Sequence, residues 1–574
     1  MPAPLMQTKT DVLVVGGGAA GARAALEAAA AGAKVIMLSK GPIARSGVTP
    51  LAEGSITAAM GSRDPLDSPV AHAEDLLREG RSLADYSLLK TLTEDASACI
   101  EDLLSYGMNF SKKNSSLVQH YSPGDTYPRT LNIKGKGFAM MRTLHATLKK
   151  SPLCRIFEDV IVTKLFCLDG SVRGALALSM QSGELSLIEA KSTIIATGGN
   201  LQLWPHSDTP VECSGDGQAL AFSAGAELVD MEMVLYYPMA ALAPESAKGT
   251  IISYEHFLDP ELCGGRLLNR FGEEFLPTGK PPVRDVLVRL IFNEINNGRG
   301  TENGGILLDV TASETVKEKA RQLVDTHLVE LNRHLLKVGV NLLEKPLEVA
   351  PATHYTLGGI RIDPDGRTTV EGLFAAGEAA GNVHGANRIA GNALTETQVF
   401  GKRAGQAAAQ RAKMMKDKKP NDRQALQLAL NREAERINAF LTNGENSDLP
   451  SPIELKAKLQ MIMGDKVGLP RSADGLKQSL LDIETLKIEF DRGVRVSPEK
   501  KYNLSLVEAL ELPFMLLNAE LIVRSALLRK ESRGHHQRSD YPATDNTNWL
   551  RHTAIKLAEN GAIATGTIPV EIRP

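Results

Sequence analysis

DVLVVGGGAAG, residues 11–21, is the stretch whose reading decides the fold of this chain. Residues 11–15 are a short apolar, β-branched run that reads as a strand, and the Ala-rich segment from Ala19 to Ala31 follows as a strong helix former. Gly32 stops that helix, and KVIML at 34–38 reads as a second, parallel strand. The result is a βαβ unit with Gly16-x-Gly18-x-x-Gly21 at its first turn. Gly16 permits the tight turn, Gly18 lets the backbone approach a pyrophosphate, and Gly21 allows helix and strand to pack closely, while the helix N-terminus at Ala19 faces the phosphate charge. Three glycines alone are equally compatible with an unliganded turn. The strand–turn–helix–strand setting is what points to dinucleotide binding.

Around this unit, 574 residues are too many for one hydrophobic core, so two to four domains are expected. Hydrophobic content of 43% and charged content of 23% are those of an ordinary soluble globular protein. A formal net charge of -3 gives no electrostatic case for nucleic acid or an anionic membrane. No basic region followed by a long apolar core opens the chain, and no apolar stretch approaches the roughly 20 residues that span a bilayer. A cytoplasmic protein is expected, or one held at the cytoplasmic face of a membrane through partner subunits, with no direct membrane insertion. The five cysteines, Cys99, Cys154, Cys167, Cys213 and Cys263, form no C-x-x-C pair. A metal site or iron–sulfur cluster within this chain is therefore not expected, and a reducing compartment fits.

Further along, IIATGG at 194–199 reads as a strand ending in a glycine pair, and Gly215-Asp216-Gly217 opens another helix. Between about 236 and 350 the texture changes to mixed helices and loops with Pro260, Pro277, Pro281 and Pro282. VEGLFAAGE at 370–378 reads as a last strand leading to a helix that begins near Asn392. Residues 415–424 are charged and carry a proline, as a solvated linker would, and 425–442 and 503–530 have helical periodicity. HGANRIAGN at 384–392 sets one cation, Arg388, among small residues that expose backbone where a cofactor could approach.

The glycine turn, HGANRIAGN, Arg284-Asp285, EINNGRG at 294–300 and HYTLGG at 354–359 together resemble the flavoprotein subunit of succinate dehydrogenase and fumarate reductase, a family that includes L-aspartate oxidase. The resemblance runs from about residue 10 to the C-terminus, where RKESRGH at 529–535 and Asp540-Tyr541-Pro542 match its closing signature; a solvated helix end is the plain reading of Arg529 to Arg533. It implies an α/β fold: a Rossmann-like FAD-binding domain of the glutathione-reductase type (residues 1–235 and 351–414), an inserted α+β capping domain (236–350) and a C-terminal helical domain (425–574). It places Gly16, Gly18, Ala19, Gly21, Ser39, Lys40, Ser46, Thr49, Gly54, Gly198, Asp216, Glu378, Asn392 and Leu394 on the cofactor. Ser39-Lys40 stands where the generic fingerprint has an acid for the ribose, and a Ser-Lys pair there is common in fumarate reductases. In succinate dehydrogenases a histidine carries FAD covalently; alignment on Thr49 and Ala52-Glu53-Gly54 puts Val48 at that position, which implies non-covalent FAD.

Hydride transfer to a carbon beside a carboxylate needs the carboxylate clamped and its growing charge neutralised in a dry site. Arginine suits the clamp, being bidentate and permanently charged. By the resemblance, Arg284 is the proton donor, Arg388 the carboxylate clamp and His354 a further catalytic and substrate-binding group. Two departures bear on substrate. Tyr236-Tyr237-Pro238 replaces the family's Phe-His-Pro, so Tyr237 stands at a substrate-binding position without a charge; Ser253-Tyr254-Glu255-His256 replaces Thr-Glu-Gly-Ala-Arg, with Glu255 or His256 available to relay protons and Glu255 near substrate. The implied function is an FAD-dependent oxidoreductase acting on CH–CH bonds, the catalytic flavoprotein that takes a small carboxylate and exchanges electrons with a separate iron–sulfur subunit. An L-aspartate oxidase, or a flavin electron-transfer protein without dicarboxylate turnover, are the alternatives.

Overall fold

The computed structural model describes residues 8–415, 422–442 and 448–572. Its first strand, β1 (Thr8–Val15), is apolar and buried over its C-terminal half, as a strand covered on both faces must be. Helix α1 (Ala19–Ala30) follows, buried nearly all round because alanine lets it lie close to the sheet and to the helix Asn392–Met414. Strand β2 (Val35–Leu38) pairs parallel to β1, Val12 opposite Val35.

The main sheet runs Cys154–Phe157, β2, β1, Leu185–Ile195, with Leu373–Ala375 parallel to the C-terminal end of Leu185–Ile195. The antiparallel strands Ser171–Ser179 and Val160–Leu168 extend it from the other end of that long strand. The carboxyl ends of the parallel strands open on one crevice, the usual seat of a ligand in such sheets.

Strands Val234–Ala241 and Leu347–Thr356 pair antiparallel and carry the chain out of this body and back, with Ile306–Asp309 and Arg266–Leu268 completing a second sheet. The expected divisions near 235 and 350 fall inside these two paired strands, Ala240 lying opposite Ala350. This unit has its own apolar core around Met239, Phe257, Leu287 and Ile291.

The helices Asp422–Thr442, Pro452–Val467, Ala473–Asp491 and Leu504–Leu528 form the C-terminal bundle. The linker expected over 415–424 lies mostly outside the described residues. Beyond the bundle the described chain is helical only over the single turn Asn546–Trp549. Arg551–Leu557 and Ile563–Pro569 form a hairpin that joins Leu228–Val229 and Gly359–Ile360 in a four-stranded sheet. The alternating β-branched residues Thr553 and Ile555, and Thr565 and Thr567, favour strands there. Nor is Arg529 a solvated helix end. It is fully buried, bonded to Glu232 (2.6 Å), Glu531 (3.0 Å) and Asp230 (3.2 Å), and so ties the bundle to the main body.

Candidate active site

A cavity of about 1270 Å³ runs from the glycine turn to the strand pair leading into the second sheet. Gly16 sits at φ +122°, and a Cβ there would lie 2.1 Å from the Ala196 carbonyl oxygen. Gly21 stands behind the wall rather than in it: its Cβ would lie 2.1 Å from the Gly16 carbonyl oxygen, so its absence sets the contact of helix and turn. Gly18 differs from both. A Cβ on it meets only Thr49 Oγ1 at 3.6 Å, so the space beyond is open cavity. Gly18 is also the N-cap of α1 and, lacking a side chain, leaves the helix end open to an anion.

Of the residues expected on the cofactor, Gly16, Gly18, Ala19, Ser39, Lys40, Ser46, Thr49, Gly54, Gly198, Asp216, Glu378 and Leu394 line this cavity. Asn392 does not. It is fully buried, its Oδ1 accepting from the Thr57 hydroxyl (2.8 Å) and from His72 Nε2 (2.9 Å), which pins the start of Asn392–Met414 to the neighbouring strand. Lys40 is committed to protein carboxylates, Asp216 (2.8 Å) and Glu511 (2.5 Å), and these outweigh burial to raise its pKa. The Ser39 hydroxyl donates to the Gly41 carbonyl at 2.6 Å. Glu378 accepts from the Thr356 amide at 2.9 Å; burial, helped by Glu396 and Asp208, pushes its carboxyl up to about 7.

The other end of the cavity gathers Tyr237, Glu255, Arg284, His354 and Arg388. Arg284 is the first residue of the helix Arg284–Glu294, whose first turn is anchored where Arg81 donates to Asp285 through Nε (3.0 Å) and Nη2 (2.8 Å). The Arg284 guanidinium carbon lies 5.0 Å from the centre of the Tyr237 ring, and its Nη2 is 3.4 Å from Glu255 Oε1. Arg388 lies over Tyr355 at 4.7 Å and, among the described residues, donates only to the Ile389 carbonyl, at 3.2 Å. Among the described residues, Nε and Nη1 of Arg284 and Nε of Arg388 are buried and make no hydrogen bond, while the Tyr254 hydroxyl lies against the Arg284 guanidinium. Burial and the nearby Arg284 charge bring Arg388 down to about 10, whereas for Arg284 burial is outweighed by Tyr254, Glu255 and Tyr237 and the pKa is raised. Two buried cations with unspent donors call for an anionic ligand between them.

His354 Nδ1 is 2.7 Å from Asp208 Oδ2, which leaves Nε2 as the ring nitrogen turned to other partners. Tyr237, expected against substrate, has its hydroxyl on Glu255 Oε2 at 2.9 Å. Glu255, also expected near substrate, lines the cavity and faces Arg284 Nη2 through Oε1. Sequence reasoning missed Asp208, which no motif marks. It also missed Tyr355, the platform under Arg388, although Tyr355 stands next to His354 within HYTLGG.

The FAD binding domain model matches residues 11–394, and the fumarate reductase flavoprotein C-terminal model matches 456–574. The chain belongs to the fumarate reductase and succinate dehydrogenase flavoprotein family. It is 39% identical to one of the subunits of the fumarate reductase (CoM/CoB) of Methanothermobacter marburgensis, over 94% of this chain and 96% of that protein. To the L-aspartate oxidase of Synechocystis it is 30% identical, over 95% and 97% of the two chains. Among solved structures, a mutated FrdA of E. coli quinol fumarate reductase superposes with a TM-score of 0.89 at 28% identity, covering 99% of this chain and 98% of that one. This flavoprotein is thus an FAD-dependent oxidoreductase with the fold expected of it. Its residues fit FAD. The open space above Gly18 and the uncapped helix end suit a pyrophosphate, and the long cavity joins that end to the paired arginines.

Proposed function

We propose that this flavoprotein reduces the carbon–carbon double bond of a small dicarboxylate, fumarate being the type case, with electrons from a separate iron–sulfur subunit. The observation that carries it is the pair of buried guanidiniums, Arg284 and Arg388, with unspent N–H donors on the same cavity as the dinucleotide turn. FAD, when bound, supplies the hydride. Arg388 and His354 hold one carboxylate, and the fixed positive charge of Arg388 stabilises the negative charge that grows on it. Arg284 gives a proton to the carbon opposite; Glu255 and the Tyr237 ring keep its guanidinium in place. Arg284 comes from the inserted segment 236–350 and Arg388 from the main body, so that segment is a cap whose seating completes the site.

Val48 supports non-covalent FAD, because its side chain has no atom able to bond to the flavin. The lower flavin potential that accompanies non-covalent binding favours reduction over succinate oxidation, in line with the fumarate reductase name of the Methanothermobacter relative. Among the described residues no helix is long and apolar enough to cross a membrane. An attachment to the cytoplasmic face, if the protein has one, then runs through partner subunits.

The test is anaerobic oxidation of a reduced one-electron dye by purified, FAD-replete protein on addition of fumarate, beside succinate with oxidised dye and L-aspartate with oxygen. Fumarate-dependent dye oxidation is expected. Oxygen-dependent turnover of L-aspartate alone would move the protein to the oxidase reading, and activity in none of the three removes the dicarboxylate reading.

A further inference from the structure

Resting on Arg388 as the carboxylate clamp, we propose that Glu79 positions its guanidinium through one buried water. Glu79 closes the helix Pro69–Glu79 and is itself buried. A second, small cavity of about 10 Å³ adjoins the clamp, with Glu79, Tyr254, Arg284, Asn387 and Arg388 in its wall. That is the space of a single water molecule, which is held in such a place where roughly two to four polar groups meet it. Gly124 steers the Glu79 side chain there: it sits at φ +100°, and a Cβ on it would come within 2.9 Å of Glu79 Cγ and 3.3 Å of Ile389 Cδ1.

The wall supplies mostly donors. Arg388 Nε, with Nε and Nη1 of Arg284, is buried and makes no hydrogen bond among the described residues. His535 accepts the Tyr236 amide on Nδ1 (3.4 Å), so its Nε2–H donates to Asn387 Oδ1 (3.2 Å), and Asn387 is left to offer N–H to the cavity. Acceptors are fewer. Glu255 Oε2 already takes the Tyr237 and Ser253 hydroxyls, its Oε1 faces Arg284 Nη2, and the Tyr254 hydroxyl lies against the same two residues. The Glu79 carboxylate, by contrast, takes one long bond of 3.4 Å from Nε of the half-exposed Arg78. A water accepts from donors on one side and gives its protons on the other, so it joins Arg388 Nε to Glu79. With the Ile389 carbonyl on Nη1, that tether fixes the plane of the Arg388 guanidinium and leaves its Nη2 end open to a carboxylate.

The test has a structural arm and a binding arm, both on the FAD-replete protein. A crystal structure with succinate bound should show one water within about 3.2 Å of a Glu79 oxygen and of Arg388 Nε. Glu79→Gln and Glu79→Met are both neutral and similar in length, so the difference between them isolates the acceptor from the charge. Glu79→Gln should keep the water and bind succinate, read from the flavin difference spectrum, at least as tightly as wild type. Glu79→Met should lose the water and show a succinate dissociation constant about three- to tenfold above that of Glu79→Gln, the size of one hydrogen bond to the clamp. FAD content and the turnover number at saturating fumarate should stay near wild type in both. Equal dissociation constants in the two variants, or a wild-type crystal structure without the water, overturn the proposal; weakened binding in Arg388→Lys then leaves the clamp itself standing. Loss of FAD or of turnover in both variants alike marks a structural role and also overturns it. Normal succinate binding in Arg388→Lys sinks the underlying reading.

Discussion

His354 Nδ1 lies 2.7 Å from Asp208 Oδ2, and this contact fixes which proton the imidazole can offer a substrate. With Asp208 accepting, a neutral ring carries its hydrogen on Nδ1 and presents a bare Nε2, which repels a carboxylate. Burial lowers the His354 pKa below its ordinary value; Asp208 opposes that shift, and Arg388 and Arg284 add to it. Carboxylate binding must then bring a proton to Nε2. The dissociation constant of succinate should rise with pH between about pH 6 and 8, toward tenfold per unit where the free ring is neutral. A binding curve flat over that range, read from the flavin spectrum, would assign the clamp to Arg388 alone.

Two glycines of one turn should fail in different ways. Gly18→Val directs methyl groups into open cavity, so the protein should fold with normal thermal stability and purify with little FAD. Gly21→Val drives a side chain into the Gly16 carbonyl and should cost about 1–3 kcal/mol or more of stability before any question of cofactor arises. Normal FAD content in Gly18→Val would remove that position from the cofactor site.

Much of this site can be read from the chain because its parts are local. The first strand and glycine turn of the βαβ unit show in eleven consecutive residues, and HGANRIAGN carries Arg388 within one turn of the helix start it precedes. What escapes the sequence is pairing at a distance. Asp208 meets His354 from 146 residues away, and nothing in its surroundings marks it. Likewise the charges of Arg529 and Glu531 read as solvated until the body supplies Asp230 and Glu232 to bury them against. The C-terminal hairpin escapes for a similar reason, since its strands are stabilised by the edge of Leu228–Val229, which lies far back in the chain.

That buried cluster makes stability depend on pH. His552 meets Asp230 through Nδ1 and Asp85 through Nε2; burial lowers its pKa, but the two carboxylates outweigh it and push it up to about 10. The sign follows: the contribution is complete below the unfolded value near 6.5 and is lost as pH rises from there through about 10. Denaturant midpoints should fall between those pH values, and less so in Asp230→Asn. Arg529→Met, which strands three buried carboxylates, should cost about 3–5 kcal/mol. Equal midpoints at both pH values would show that His552 is not charged in the folded protein.

Val48 predicts that acid precipitation releases all flavin to the supernatant. Fluorescence retained on the denatured polypeptide in a gel would show a covalent bond formed elsewhere in the cavity wall.

Arg284 and Arg388 have different jobs, so their conservative variants should separate kinetically. Arg388→Lys keeps a charge but loses the planar fork, and should weaken dicarboxylate binding by about 1.5–3 kcal/mol, seen as a raised KM. The most direct test of the whole account is the turnover number of Arg284→Lys in fumarate reduction by reduced dye, with FAD content and succinate binding matched to wild type. A fall of roughly a hundredfold or more at little changed KM is the predicted result; turnover equal to wild type would contradict it, leaving Arg284 as a charge in the wall and not the proton donor.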